Sequence, residues 1–413
     1  MSFVDRERAS RLMAEAGLDA LVIAEPEGFA YITGVSQGVP ALFRRAGAGF
    51  AVLPADPQQP IGAVIGDLYE EAARRLVPEV RVHPLWMENA DLTGMPEAGP
   101  VEARIASAWR KAGRPPGFAR PATFDLHLAL QALADLLASL GLAGGRLGLD
   151  LDYVAASDAA VIGDALDGAG IANGSPVLDR IRMVKTPGEL SRLTLGVELA
   201  EAGLRAMAAS VEAGHTAADL HGFFLAGVEA EAAQRNIKAP PSWAYIAVGP
   251  DPWNPKGRVE REAVIKADVG CVVDGYSSDT SRNYVFGAPT SDQAQLHRSI
   301  EAAFTAGREW IRPGVPLSEV HRAATAALEE AGLTGFSRGH FGHGLGHSLF
   351  SEQWPFIAAT STTPIEPGMV LAFEIPIYVT GVGGFNLEDQ FLVTPDGHRS
   401  MNTLPHHLIT VGR

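Results

Sequence analysis

Two stretches in the second half of the chain are rich in β-branched and aromatic residues, which is typical of β-hairpins. The first, AVIKADVGCVVDGYSSDTSRNYVF, contains Asp274-Gly275, a dipeptide favoured in two-residue hairpin turns. With that dipeptide as the loop, Asp268 pairs with Ser281, and Asp279 follows on the same face as its diagonal neighbour. The pattern therefore predicts that Asp268 and Asp279 point into one space.

The second pair of strands is predicted near 369–379 and 385–393, joined by a glycine-rich loop. Pairing centred near Gly381 puts Glu374 opposite Glu388 on one face of the sheet. An isolated buried charge is very costly, and carboxylates that share one space repel each other unless a cation or proton lies between them. The two strand pairs therefore predict a cation site.

Two stretches with helical periodicity precede each predicted strand pair. They cover 187–212 and 216–235 before the first pair, and 291–311 and 318–331 before the second. Two helices and two strands, twice in order, predict an α+β domain built from two similar ααββ halves over residues 181–413.

Residues 1–180 alternate short apolar runs with helical patterns, which predicts an α/β amino-terminal domain. The segment 89–122 is rich in proline and glycine and is predicted to be irregular. The stretch 177–193 is interpreted as a strand, a linker and a helix start, with Thr186 and Glu189 as an amino-terminal cap signal.

Composition narrows the class of protein. A chain of 413 residues exceeds the size at which a single hydrophobic core stops growing, so more than one domain is expected. The net charge of -15 argues against nucleic acid and anionic membranes as main partners. The amino terminus lacks a signal-peptide pattern, and the single cysteine, Cys271, excludes an intrachain disulfide framework. We expect a cytoplasmic protein with no membrane span, in which Cys271 is a packing residue.

A histidine-rich loop, RGHFGHGLGHSLF, lies between the two strand pairs and contains His340, His343 and His347. A histidine among glycines is, by itself, more often a turn residue than a metal ligand. Together with four carboxylates, however, one imidazole completes an oxygen-rich set that suits two divalent ions such as Mn²⁺, Co²⁺ or Zn²⁺.

These motifs resemble those of the metallopeptidase M24 family, which includes Xaa-Pro aminopeptidases, prolidases, methionine aminopeptidases and creatinase. The resemblance covers nearly the whole chain and implies a creatinase-like amino-terminal domain followed by a catalytic domain with the pita-bread fold. It also implies two bound divalent ions and a homodimer. The residues that match the metal ligands of the family are Asp268, Asp279, His347, Glu374 and Glu388.

The chain also departs from the family pattern. The peptidases usually carry a second histidine about seven residues after the metal histidine, but that region here is SLFSEQWPFI, with Trp354 or Glu352 at the position. The stretch AVGPDPWNPKGRVEREAVIKAD lacks the histidine found before the first aspartate. Asn386 replaces an arginine that usually stands two residues before the last glutamate. These departures predict altered chemistry or an altered substrate.

The resemblance implies a hydrolase that cleaves a C–N bond in an Xaa-Pro dipeptide or a small modified amino acid. The alternatives are an ectoine-hydrolase-like enzyme, a lyase similar to the dimethylsulfoniopropionate lyase of this fold, and a non-catalytic binding protein. The sequence does not separate hydrolase from lyase. The retained ligands count against the non-catalytic binding protein, because a site without catalytic function does not require four clustered carboxylates.

Individual side chains receive predicted roles on the same basis. Glu374 is the candidate general base, and His343 either hydrogen-bonds the substrate or its oxyanion or caps a loop. Glu352 and Trp354 are candidate substrate-binding residues, although a tryptophan is also a common core residue. His406 and His407 are predicted to lie at the surface or in an interface.

Overall fold

The computed structural model describes residues 4–85, 89–111, 124–348 and 352–412. The chain divides into two compact units, Met1–Ile181 and Arg182–Arg413.

The first unit contains a mixed six-stranded sheet in the order β4-β3-β2-β1-β5-β6. Both faces of the sheet are covered by apolar side chains that form separate cores, as expected for an α/β layer structure. The strands are β1 (Ala20–Ile23), β2 (Gly49–Pro54), β3 (Gly62–Gly66), β4 (Glu79–His83), β5 (Arg146–Leu149) and β6 (Gly170–Asn173). The helices are α1 (Arg6–Ala16), α2 (Pro26–Thr33), α3 (Glu70–Arg74), α4 (Val101–Lys111), α5 (Leu126–Ser139), α6 (Ala156–Ala165) and α7 (Ser175–Arg182).

Two sequence-based expectations fail near this unit. The segment expected to be irregular contains α4 in its described part, while 112–122 lies outside the described residues. The expected strand at 177 is instead part of α7, because Val177, Leu178 and Ile181 are spaced for one buried helical face. Short apolar runs do not distinguish a buried strand from a helix by periodicity alone.

The second unit contains a ten-stranded sheet whose main path runs β12-β11-β13-β14-β10-β8-β7. The strands are β7 (Ser242–Val248), β8 (Val264–Val273), β9 (Tyr276–Ser277), β10 (Thr280–Phe286), β11 (Gly342–Gly344), β12 (Gln353–Phe356), β13 (Val370–Val379), β14 (Gly383–Thr394), β15 (Gly397–Ser400) and β16 (Ile409–Val411). The helices are α8 (Pro187–Ala209), α9 (Ala217–Gln234), α10 (Ser291–Arg308) and α11 (Leu317–Glu330).

The two predicted halves are present in this unit. Helices α8 and α9 pack on each other and share an apolar core with β7 and β8, while α10 and α11 do the same with β13 and β14. The predicted cap of α8 is also present, since Thr186 and Glu189 form a capping box at its amino terminus. Strands β10 and β14 pair at Ser281 and Glu388, so the two halves meet in the middle of one sheet.

Candidate metal centre

The first hairpin has the predicted register. Val273 pairs with Tyr276, and Asp268 pairs with Ser281. Asp274 and Gly275 both adopt positive φ angles, 49° and 86°, as a two-residue type I′ turn requires. The turn chemistry therefore places Asp268 and Asp279 on the same face, as the sequence indicated.

The second strand pair also has the predicted register, with Glu374 directly opposite Glu388. The pairing of β10 with β14 then joins the two hairpins, so that Asp268, Ser281, Glu388 and Glu374 form one row across four strands. Residues directly opposite each other in a sheet point to the same face. Four strands thus direct three carboxylates into one space.

The side chains of Asp279 and His343 lie next to this row of carboxylates. Asp279 lies just before β10, and its backbone N–H donates to Gln390 Oε1 at 2.6 Å. His343 on β11 pairs with Ala372, two residues before Glu374 and therefore on the same face. His343 Nε2 lies 3.6 Å from Asp279 Oδ2. One ligand atom each from Asp279, His343 and Glu388 lie within 4.8 Å of one another, and all three side chains are buried.

His347 is not part of this group of described residues, and its assignment as the metal histidine therefore stays a prediction. Its ring stands edge-on to Tyr276 at 5.2 Å and lies so close to Gly275 that a β-carbon there would clash. Its carbonyl oxygen accepts hydrogen bonds from Arg182 and Gln353. The physical reason is that His343 lies in β11, where alternation sets its direction, whereas His347 follows the strand and packs on the hairpin turn.

Two cations contact the remaining carboxylates. Lys266 Nζ lies 3.1 Å from Asp268 Oδ2, and Arg338 Nη2 lies 2.5 Å from Glu374 Oε1. The other Glu374 oxygen, Oε2, accepts from Asn386 Nδ2 at 3.0 Å. Neither Lys266 nor Arg338 was predicted from the sequence. The alternation of side chains along β8 places Lys266 on the same face as Asp268, and this pattern could have indicated Lys266.

The electrostatics of the centre favour a bound cation. Burial raises the pKa of the Glu388 carboxyl well above its usual value, and the charges of Asp279, Glu374 and Asp268 raise it further. Burial also raises the pKa of Asp268 and lowers that of His343. Glu388 Oε1 is buried and accepts no hydrogen bond from the described residues. A carboxylate–imidazole–carboxylate group with such an atom fits a divalent transition-metal ion.

The predicted substrate-binding residues lie beside the histidine loop. Glu352 Oε2 lies 3.6 Å from His340 Nε2, and both side chains are partly exposed. Trp354, in β12, is partly buried and packs against the apolar core of its half. His340 is a second imidazole near the centre, with its ring centroid 6.3 Å from that of His343. The signal for His340 was its position three residues before His343.

A buried ion pair between Arg282 and Asp389 contacts the backbone of Glu388. Arg282 is fully buried, and its guanidinium donates to the Glu388 carbonyl oxygen at 2.7 Å and to Asp389 Oδ1 at 2.6 Å. His406 Nε2 lies 2.8 Å from Asp389 Oδ2 with its side chain partly exposed, while His407 is exposed. Cys271 is fully buried in the core of the first half, as predicted.

We expect the Arg282→Met variant to lose about 3–5 kcal/mol of unfolding free energy, because it leaves the Asp389 charge buried without its main partner. Urea denaturation followed by circular dichroism measures the change. The matched control is Arg322→Met, whose exposed pair with Glu319 contributes at most about 1 kcal/mol. Equal, small losses for both variants would show that the buried pair does not stabilise the fold.

Comparison with known proteins identifies the class. Residues 6–184 match the family model described as Creatinase/Prolidase N-terminal domain, and residues 192–395 match that of Metallopeptidase family M24. The two matches together span nearly the whole chain. The chain therefore belongs to the metallopeptidase M24 family, in the branch with a creatinase-like amino-terminal domain, and its second unit is the pita-bread domain.

Among curated proteins, a relative from Mycobacterium tuberculosis named "Probable dipeptidase PepE" is 34% identical over 241 residues. That match covers 57% of this chain and 62% of the relative. Among solved structures, an Xaa-Pro dipeptidase from Bacillus anthracis superposes with a TM-score of 0.75 at 20% identity, covering 98% of this chain and 99% of that one. The dipeptidase PepE of Mycobacterium ulcerans gives 0.72 at 24% identity, covering 99% and 97%. These structures share the fold.

No helix in the described part of the chain is both long enough and apolar enough to cross a membrane.

Proposed function

We propose that the protein is a metal-dependent hydrolase that cleaves the amide bond of a dipeptide-sized substrate. The observation that carries the proposal is the buried group of Asp279, His343 and Glu388, whose ligand atoms lie within 4.8 Å of one another in a row of carboxylates. Membership of the M24 family and the similarity to proteins named as dipeptidases support the same reaction.

The side chains divide the chemistry between them. Asp279, His343 and Glu388 would hold a divalent ion, with Mn²⁺, Co²⁺ and Zn²⁺ as the candidates for this donor set. When bound, such an ion supplies Lewis acidity and lowers the pKa of a water. Glu374 takes the proton of the attacking water at a carboxylate oxygen.

The groups around Glu374 suit this role. Arg338 and Asn386 contact its two oxygens, so the carboxylate is held in one orientation. A base that is already oriented towards the centre needs little rearrangement before it accepts a proton.

The substrate would approach past the partly exposed pair of His340 and Glu352. Glu352 accepts hydrogen bonds when ionised, so it is suited to the ammonium group of a small substrate. His340 supplies an imidazole beside the centre although the usual second histidine of the peptidases is missing from the sequence. In this proposal Trp354 shapes the pocket from the core.

We expect the metal-loaded protein to release free amino acids from dipeptides, with kcat/KM for an Xaa-Pro dipeptide below about 10⁴ M⁻¹s⁻¹. The loss of one transition-state donor typically costs about 10²–10³-fold in rate, and the two family histidines are absent from this sequence. Amino-acid release is measured for Ala-Pro and Ala-Ala, ring opening for ectoine and acrylate release for dimethylsulfoniopropionate, with chelator-treated protein as the control.

The outcomes of this panel differ by product. Cleavage of a dipeptide that stops on chelation supports the proposal. Ring opening of ectoine, or acrylate release from dimethylsulfoniopropionate, without dipeptide cleavage would replace it by the corresponding alternative. An Xaa-Pro value above the stated limit would restore an ordinary prolidase. A homodimer and a cytoplasmic location are the matching proposals for assembly and compartment, to be tested by light scattering and by fractionation.

A further inference from the structure

Two of the five side chains around the centre already contact a cation supplied by the chain itself. Lys266 Nζ lies 3.1 Å from Asp268 Oδ2, and Arg338 Nη2 lies 2.5 Å from Glu374 Oε1. The group whose ligand atoms lie within 4.8 Å of one another consists of the other three residues, Asp279, His343 and Glu388. The geometry thus separates one compact ligand group from two carboxylates with protein partners.

Charge balance gives the same division. The four carboxylates carry four negative charges when ionised, and Lys266 and Arg338 supply two positive ones. One divalent ion would neutralise the two negative charges that remain, because His343 binds metals as a neutral imidazole. A second divalent ion would leave this largely buried centre with an excess of two positive charges, which is unfavourable where the effective dielectric constant is below that of water.

Lys266 cannot easily move aside for a second ion. The side chain is 7% exposed and extends from β8 on the same face as Asp268, two residues along the strand. Its ammonium lies 5.9 Å from the centre of the Tyr378 ring, within the range of a cation–π contact. An ion bound through Asp268 would therefore lie within a few ångströms of a buried positive charge.

We infer that the Lys266 ammonium takes the place of a second metal ion at Asp268, so that the centre binds one divalent ion through Asp279, His343 and Glu388. The inference rests on the proposed function only in requiring that the centre binds metal. It departs from the two-ion expectation that the family resemblance implied. Lys266 is then a positioning residue, which holds the Asp268 carboxylate in its orientation.

The test is the number of Mn²⁺ ions bound, measured by isothermal titration calorimetry and by elemental analysis after equilibrium dialysis. The wild-type protein is expected to bind one ion, and its Mn²⁺ electron paramagnetic resonance spectrum should be that of an isolated ion. Lys266→Met should bind a second ion with an affinity higher by at least about 100-fold, because a positive charge a few ångströms from a dication is removed. A spin-coupled pair of ions should then appear in the spectrum.

Two further variants separate charge from packing. Lys266→Arg keeps the positive charge and should remain a one-ion protein. Lys238→Met removes an exposed lysine of the same unit and should leave the stoichiometry unchanged. Circular dichroism confirms folding for each variant, and Lys266→Gln replaces Lys266→Met if the latter does not fold.

The outcomes distinguish this inference from the proposed function. One ion in the wild type and two in the neutral Lys266 variants would support it. Two ions of similar affinity in the wild type would overturn the inference and leave the metal-dependent function intact. The same conclusion would follow if the neutral Lys266 variants still bound only one ion. No bound ion in any variant would overturn the inference together with the metal-dependent function.

Discussion

The His343→Ala variant is expected to bind divalent metal at least about 100-fold more weakly than the wild type. His343 Nε2 lies 3.6 Å from Asp279 Oδ2, and the histidine supplies the imidazole of the three-residue ligand group. Loss of an outer-shell partner alone typically costs 10–100-fold in metal affinity, and loss of a direct ligand costs more. Competition of the protein with a fluorescent chelator for Zn²⁺ or Co²⁺ measures the affinity.

The matched control is His347→Ala, four residues later in the same loop. The His347 ring packs on Tyr276 and the hairpin turn, so its loss should reduce stability modestly and leave metal affinity within a few-fold of the wild type. The opposite result, with metal lost from His347→Ala and kept by His343→Ala, would restore the ligand assignment that the sequence motif suggested. The pair of variants also separates metal binding from loop stability, since both remove one imidazole.

The Glu374→Gln variant is expected to lose about 10²–10⁴-fold in kcat, the usual contribution of a general base. The change keeps the size of the side chain but removes its basicity at neutral pH. Because Glu374 contacts Arg338 and Asn386 and is not in the compact ligand group, the variant should retain its metal. Rates and metal content are measured on the same samples.

Glu329→Gln is the control for this variant, because Glu329 is exposed on α11. Its rate should equal that of the wild type. If Glu374→Gln keeps nearly the wild-type rate at full metal loading, Glu374 is not the base. If its metal is lost as well, Glu374 is a ligand, and the unequal division of the carboxylates described above does not hold.

The sequence by itself determined the parts of the centre that depend on local rules. An Asp-Gly turn sets the register of the first hairpin, and strand alternation then places Asp268 and Asp279 on one face. The same alternation places Glu374 opposite Glu388. Helix caps such as Thr186 with Glu189 are equally local, since all their partners lie within one turn.

Only the tertiary structure decided how these local units combine. The pairing of Ser281 with Glu388 joins residues far apart in the chain, and neither hairpin contains a signal for it. That pairing creates the row of carboxylates, and β11 then brings His343 rather than His347 to it. Three histidines close together among glycines match a motif almost equally well, and among the described residues strand direction places His343 in the compact group with Asp279 and Glu388.

The same limit applies to the cations. Lys266 is near Asp268 in sequence, but the Tyr378 ring that lies 5.9 Å from its ammonium comes from the second half of the domain. Arg338 reaches Glu374 across 36 residues, and Arg282 reaches Asp389 across 107. Spacing along the chain predicts which side chains share a strand face; the energetic requirement that every buried charge find a partner is met only when distant strands come together.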